Sequence, residues 1–237
     1  MKVEFWRRNY QWLMAFLIPQ AIIVVSWILR RQGWLLAPDV WRMIGNGALL
    51  FVVLGLVFVY GWQLTDVGVK RQGLPSGLLG GGLLFIFYAI PQWLAAYPFR
   101  WQQLGMSTAY WAAFFLLVAI AEELWIRGLL YTALVRRWNQ RIGILGASLA
   151  FGLMHVSSYA SYGIGGFLVP AISGVAYVLV RAKTDNIIGL IFAHWLLDFM
   201  DKIYIPYDIT AGMPSIGLII VNVISLPILW LLLWRLH

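Results

Sequence analysis

Glu122, Glu123, His155, His194 and Asp198 stand inside long apolar runs of this sequence, and Arg127 stands with them. Most of the nine acidic residues fall between such runs instead. An ionisable side chain at the middle of a bilayer costs about 3 kcal/mol on insertion scales, so such residues persist where they face a protein interior and act there. The plain alternative is a polar cluster that only holds helices together. The residue types point further than that. A carboxylate beside a neutral imidazole in a pocket of low dielectric can bind a water and take its proton. The resulting nucleophile can attack an amide carbonyl, and the oxyanion that develops needs a donor. Protonated His194 or protonated Asp198 would supply one.

A metal offers a second route. His155, His194 and Asp198 form a two-histidine, one-carboxylate set, with Glu122 as base. Three such ligands would leave the fourth position of a tetrahedral zinc open to water. No H-E-x-x-H helix is present, and the sequence leaves open whether the cofactor is zinc or none. Serine chemistry lacks support: Ser157, Ser158 and Ser173 occur without a G-x-S-x-G elbow. The chain has no cysteine, which removes thiolate ligands, thiolate nucleophiles and disulfides.

Spacing brings these residues to one depth. Glu122 lies 14 residues before Arg136, and His155 lies 14 after Arg141. His194 and Asp198 lie 11 and 15 residues after Lys183. At a rise of about 1.5 Å per residue, each sits roughly 16–23 Å below the basic loops. His194 and Asp198 are i and i+4, hence on one helix face. Glu123 and Arg127 have the same spacing, in the order that favours an ion pair. Glu122 is turned about 100° from Glu123, which leaves it free to point at a cavity. Phe151, one turn before His155, is placed to wall that cavity.

The elements that carry these residues are apolar runs of membrane-spanning length. Of 237 residues, 62% are hydrophobic and 11% charged, against about 25% charged in ordinary soluble domains. About eight runs have the roughly 20 residues that a bilayer core demands: 10–29, 43–62, 77–97, 107–131, 142–160, 163–181, 186–205 and 213–234. The expected fold is an all-α, polytopic membrane helix bundle, one transmembrane domain over 1–237 with its chemistry in 107–205. Arg7 and Arg8 precede the first run, and Arg30 and Arg31 follow it in place of a small-residue cleavage site. That run reads as a retained helix with a cytoplasmic anchor, not as a signal peptide or a twin-arginine signal. Glycines such as Gly80, Gly81 and Gly82, or Gly163, Gly165, Gly166 and Gly174, lack the context of a phosphate loop and suit close helix packing.

The formal charge of +8 raises the question of nucleic acid. The basic residues sit in short clusters between apolar runs, which is the pattern of loops that set membrane topology. Eleven of them (Lys2, Arg7, Arg8, Lys70, Arg71, Arg136, Arg137, Arg141, Arg181, Lys183, Arg235) fall on one side and five (Arg30, Arg31, Arg42, Arg100, Lys202) on the other. The positive-inside rule then places both termini in the cytoplasm of a multi-pass protein of the cell membrane, with a site opening to the cytoplasmic side.

Glu122-Glu123-Leu124-Trp125-Ile126-Arg127 resembles the EExxxR motif of the CPBP, or ABI, family. Phe151 to His155 resembles its FxxxH motif, and His194 to Asp198 its HxxxN or HxxxD motif, all in the family's order across 122–198. That family includes type II CAAX prenyl endopeptidases and bacteriocin-processing or self-immunity proteins. The resemblance implies a multi-helix intramembrane endopeptidase, of metallo or metal-free glutamate type. It implies that Glu122 and His155 activate water. His194 and Asp198 would then form the oxyanion site or bind metal, with Glu123 and Arg127 holding the geometry. Asp198 departs from the Asn of the prenyl proteases, and an Asp must be protonated before it can donate. The partners implied are the lipid bilayer and a membrane-associated protein or peptide, lipidated or CAAX-like; nucleic acid is not among them. Two other readings compete. One is a non-enzymatic immunity or scaffold protein. The other is an ion-coupled transporter, which would commonly show two related halves, and no such halves appear in the sequence.

Overall fold

The computed structural model describes residues 2–32, 38–94 and 106–204, with short helical pieces among residues 223–231. The described residues are helical and contain no strand. The helices are α1 (Lys2–Arg31), α2 (Pro38–Val59), α3 (Leu74–Leu94), α4 (Met106–Glu123), a π-helical segment (Leu124–Leu130), α5 (Tyr131–Arg137), α6 (Gln140–Met154), α7 (Val156–Tyr162), α8 (Ile164–Thr184) and α9 (Ile188–Tyr204).

Among the described residues, three stretches are long and apolar enough to cross a membrane: Asn9–Arg31, Asp39–Val59 and Ile164–Thr184. A fourth is reached if α6 and α7, bent by 65° at His155, count as one span. Leu74–Ala89 and Ile188–Met200 are apolar but shorter. The expected number of about eight is thus not reproduced. The run at 107–131 is divided by the π-helix, that at 142–160 by the bend, and most of 213–234 lies outside the described residues. Phe51 and Phe58 on α2 are 81% and 85% exposed. Large apolar side chains that face outward along a long apolar helix suit a lipid surround, not water.

The core is built from the motif-bearing elements. All seven residues of the π-helix are buried. Trp125 donates its indole N–H to the Ala15 carbonyl at 2.8 Å, tying α1 to that segment. Trp195 on α9 does the same to Ala112 on α4 at 2.8 Å. On α3 and α9 the backbones almost touch: a Cβ at Gly189 would lie 1.9 Å from the Gly77 carbonyl, and one at Gly81 would lie 2.1 Å from the Gly189 carbonyl. Glycine at these crossings is therefore a packing requirement, which is the role expected of small residues between membrane helices.

Local capping sets where helices begin and end. Asn139 caps α6, its side-chain oxygen accepting from the Ile142 N–H at 3.0 Å. Asp185 ends α8 in the left-handed conformation, with φ of 50°. The Asn186 side chain then accepts from the Ile188 N–H at 2.9 Å and donates to the Lys70 carbonyl at 2.7 Å, which joins the start of α9 to the loop before α3.

The loop after α2 is held to α5 by Asp66. Its carboxylate accepts from the Gln63 N–H at 2.7 Å and from Arg136 at 2.5 Å. The Gln63 bond holds the Asp66 carboxyl below the usual carboxylate range; partial burial opposes this and Arg136 reinforces it. A depressed folded value means that ionised Asp66 stabilises the fold above the ordinary carboxylate range, near pH 4. That contribution is lost as pH falls through the depressed value. Asp66→Asn should lower the thermal midpoint in detergent at pH 7, and its gap from wild type should narrow progressively as the scans are taken below about pH 4.

Candidate functional site

Adjacent carboxylates go separate ways. Glu123, the last residue of α4, is fully buried, and its Oε1 accepts from Arg127 at 2.9 Å. Glu122 instead lines a cavity of about 370 Å³, together with His155 and Asp198. The 100° between successive helix positions produces this division: one carboxylate is turned into the core and the other into open space.

Arg127 is fully buried in the π-helix and lies between two rings, with its guanidinium carbon 3.9 Å from the Phe151 ring centre and 4.8 Å from that of Tyr177. Its Nε and Nη2 have no hydrogen-bond partner among the described residues, so ring faces stand where hydrogen-bond acceptors would otherwise be needed. The π-helix is itself informative, because such turns are rare and occur often at functional sites. Arg181 on α8, 3% exposed, donates from Nε to the Arg127 carbonyl at 3.2 Å. Arg181 also pairs with Asp185. Sequence counting placed Arg181 in a topology-setting loop; it is a buried clamp on the π-helix instead. Gly68 makes room for it, since a Cβ there would lie 2.9 Å from Arg181 Nε.

His194 on α9 completes the buried group. Its Nδ1 lies 2.8 Å from Glu123 Oε1. Glu123 is paired with Arg127 and accepts, so Nδ1 carries the proton and Nε2 is the atom left to act. His194 Nε2 lies 3.5 Å from Asp198 and 3.8 Å from Glu122. Asp198 thus faces His194 as a carboxylate neighbour one turn away. Phe151 and Tyr177 contact the His194 ring edge-on, with centroids at 6.2 Å and 5.9 Å.

His155 does not sit inside a continuous helix, as the run at 142–160 suggested. It stands at the bend between α6 and α7, with φ −81° and ψ 46°. Its Nδ1 donates to the Phe151 carbonyl at 2.7 Å, which leaves Nε2 with the lone pair. Phe151 packs against the same imidazole at 4.7 Å between centroids, so it contributes both a wall and a hydrogen-bond acceptor.

The cavity also contains residues that sequence reasoning passed over. Ser26, Arg30, Arg42 and Asn46 line it from α1 and α2, and Phe114, Phe115 and Val118 from α4. Arg30 and Arg42 lie at the end of the bundle away from Arg136 and Arg181. The cavity therefore extends toward the less basic end, whereas the charge count had the site open toward the more basic one. Tyr177 was passed over as well, because its partners Arg127 and His194 lie on other helices and no spacing in the sequence links them to it.

Residues 103–200, which hold all three motifs, match the family model described as Type II CAAX prenyl endopeptidase Rce1-like. This segment belongs to the CPBP, or CAAX protease, family. The apolar helices and this match together indicate a multi-pass membrane protein that carries an intramembrane-protease-like segment. No similar curated protein and no similar solved structure was found.

The family resemblance admits a zinc ion, which needs ligand atoms converging at about 2 Å on one point. His155 and His194 each commit Nδ1 to a protein partner and keep Nε2. Among the described residues, however, no group of three or more His, Asp or Glu side chains is arranged to hold a metal. His155, His194 and Asp198 do not form a ligand group in this arrangement, and no step below runs through a metal.

Removing one member of a buried ion pair strands the other in low dielectric, at a cost of roughly 3–5 kcal/mol. Arg127→Met should therefore unfold at markedly lower temperature in detergent, and the double variant Glu123→Leu/Arg127→Met should recover much of the loss. Equal midpoints for the single and double variants would show that the pair is not what matters.

Proposed function

We propose that this protein is an endopeptidase that cuts a peptide bond of a membrane-associated protein or peptide, lipidated or CAAX-like, with a water held between Glu122 and His155. The observation that carries the reading is that Glu122, His155 and Asp198 line one cavity, with His194 Nε2 at its edge. Proteolysis inside a bilayer needs a hollow that water can reach, with a base and a proton carrier facing the same space, and these side chains supply both.

Glu122 takes a proton from the water as its oxygen attacks the scissile carbonyl. His155, fixed by the Phe151 carbonyl with Nε2 free, orients that water and shares the proton. The carbonyl oxygen becomes an oxyanion and needs donors. His194, held from behind by Glu123, presents Nε2 for this role when doubly protonated. Asp198, 3.5 Å from Nε2, balances that cation in its charged form or donates in its protonated form. The proton taken from water passes to the leaving amine, and the carbon–nitrogen bond breaks. Glu123 and Arg127 touch no substrate in this scheme; they position His194.

The charge count favours cytoplasmic termini, in the cell membrane. The end of the cavity lined by Arg30 and Arg42 then lies toward the opposite side. The absence of cysteine makes this simple to test. A Gln32→Cys variant should react with an impermeant maleimide on intact cells, and an Arg137→Cys variant only after permeabilisation. The reverse pattern would invert the topology and put that end toward the cytoplasm.

Glu122→Gln and His155→Ala should each abolish processing, by at least 100-fold, while the protein still inserts and unfolds at a similar temperature. Membrane peptides compared by mass spectrometry between wild type and Glu122→Gln should differ in a processed product. Full activity in either variant sinks the proposed chemistry, and a biological effect that survives Glu122→Gln assigns the protein a non-enzymatic role.

A further inference from the structure

The cavity is longer than a water-activating group requires. From Glu122 and His155 it runs along α1 as far as Arg30 and along α2 as far as Arg42. Ser26 donates to the Trp41 carbonyl at 3.3 Å, and a Cβ at Gly45 would clash with the Ser26 hydroxyl at 2.3 Å, so α1 and α2 touch at this level. Arg30 lies one turn beyond Ser26, and Arg42 nearly one turn before Gly45. The two helices are antiparallel neighbours, which brings both guanidinium groups to the same end of the cavity.

Charge there is unbalanced. The only carboxylate paired with either arginine among the described residues is Asp39, 3.7 Å from Arg42, and both of those side chains are about half exposed. Arg30 takes part in no ion pair among the described residues. Beside them, Asn46 spends its amide N–H on the Arg42 carbonyl at 2.9 Å and leaves its buried Oδ1 without a partner. Between this end and the carboxylate layer the wall is apolar, with Trp27, Phe114, Phe115 and Val118. A ligand that fills the whole cavity is therefore largely apolar along its length, with a planar anion at one end. Guanidinium groups hold carboxylates through paired hydrogen bonds.

Distance sets the register. Gln20 donates to the Leu153 carbonyl at 3.1 Å, which fixes the His155 level on α1. Arg30 is ten residues farther along the helix, about 15 Å by rise. Side-chain reach shortens this to about 10–15 Å, the span of roughly three to five residues of extended peptide.

Resting on the protease reading above, we propose that Arg30 and Arg42 form a subsite that binds a carboxylate of the peptide substrate, three to five residues from the bond that is cut. The pair would then select substrates by the position of a negative group and set which bond reaches Glu122.

The test measures binding, so it reads whether or not cleavage occurs. The Glu122→Gln protein is placed in nanodiscs of phosphatidylcholine. It is titrated with a labelled apolar octapeptide that ends in a free carboxylate, with the same peptide as its C-terminal amide, and with the amide carrying one internal glutamate. At least one carboxylate form should bind tenfold or more tighter than the uncharged amide. In an Arg30→Gln/Arg42→Gln background that ratio should fall to near one with amide affinity unchanged, and Arg30→Lys/Arg42→Lys should keep part of it. If the double Gln variant does not fold, each single Gln variant should lose part of the ratio. The terminal and internal carboxylates distinguish the two sources of the anion. A ratio near one in the parent protein, or a full ratio in the Gln variants, overturns the proposal. So does a preference that vanishes when phosphatidylglycerol replaces half the lipid, because the arginines then serve lipid phosphate. Loss of the protease reading would show instead as cleavage that survives Glu122→Gln, with these binding ratios unaffected.

Discussion

A full positive charge and a full negative charge lie in the driest part of this molecule, and most of the site's architecture follows from keeping them together. Arg127 and Glu123 are both fully buried and 2.9 Å apart. Such a pair holds only when the remaining faces are covered, since desolvation of two ions rivals their attraction. Phe151 and Tyr177 cover the guanidinium, and His194 takes up the carboxylate oxygen. Three elements distant in sequence, α6, α8 and α9, are thereby drawn around the end of α4. The fold around the site is the set of contacts that makes one buried ion pair tolerable.

The same pair explains why the backbone departs from regular helix where it does. Arg127 lies in a π-helix, where its carbonyl accepts from Arg181 and through Arg181 is connected to Asp185. His155 lies at a 65° bend, where the helix stops and the imidazole turns back to the Phe151 carbonyl. In lipid such interruptions are tolerated only where the freed backbone groups find partners or line a cavity. Both interruptions meet that condition, and both sit at the proposed catalytic layer. Departure from helical regularity and concentration of ionisable groups are one feature seen from two sides.

Several relations at the site were legible in advance because they depend on one helix only. The Glu123–Arg127 pair follows from a spacing of four, the divergence of Glu122 from Glu123 follows from the turn per residue, and the shared face of His194 and Asp198 follows from i and i+4. Relations between helices were not legible. Arg181 looked like a loop charge because its sequence neighbours Lys183 and Asp185 are loop-like, and only packing shows it buried. Tyr177 looked like any aromatic residue of an apolar run. Arg30 and Arg42 were topology signals until the antiparallel contact of α1 and α2 set them on the cavity.

Composition and periodicity by themselves pointed to a helical chain with runs of membrane-spanning length and to ionisable residues within those runs, because each of these depends on hydropathy and on the helical repeat. The three motifs with their order also pointed to the family whose model matches residues 103–200. Tertiary structure alone decided what packs around the buried Glu123–Arg127 pair, which nitrogen of each histidine is spoken for, and toward which end of the bundle the cavity runs. Those outcomes depend on what stands on the far side of a side chain, and in a bundle the far side belongs to another helix.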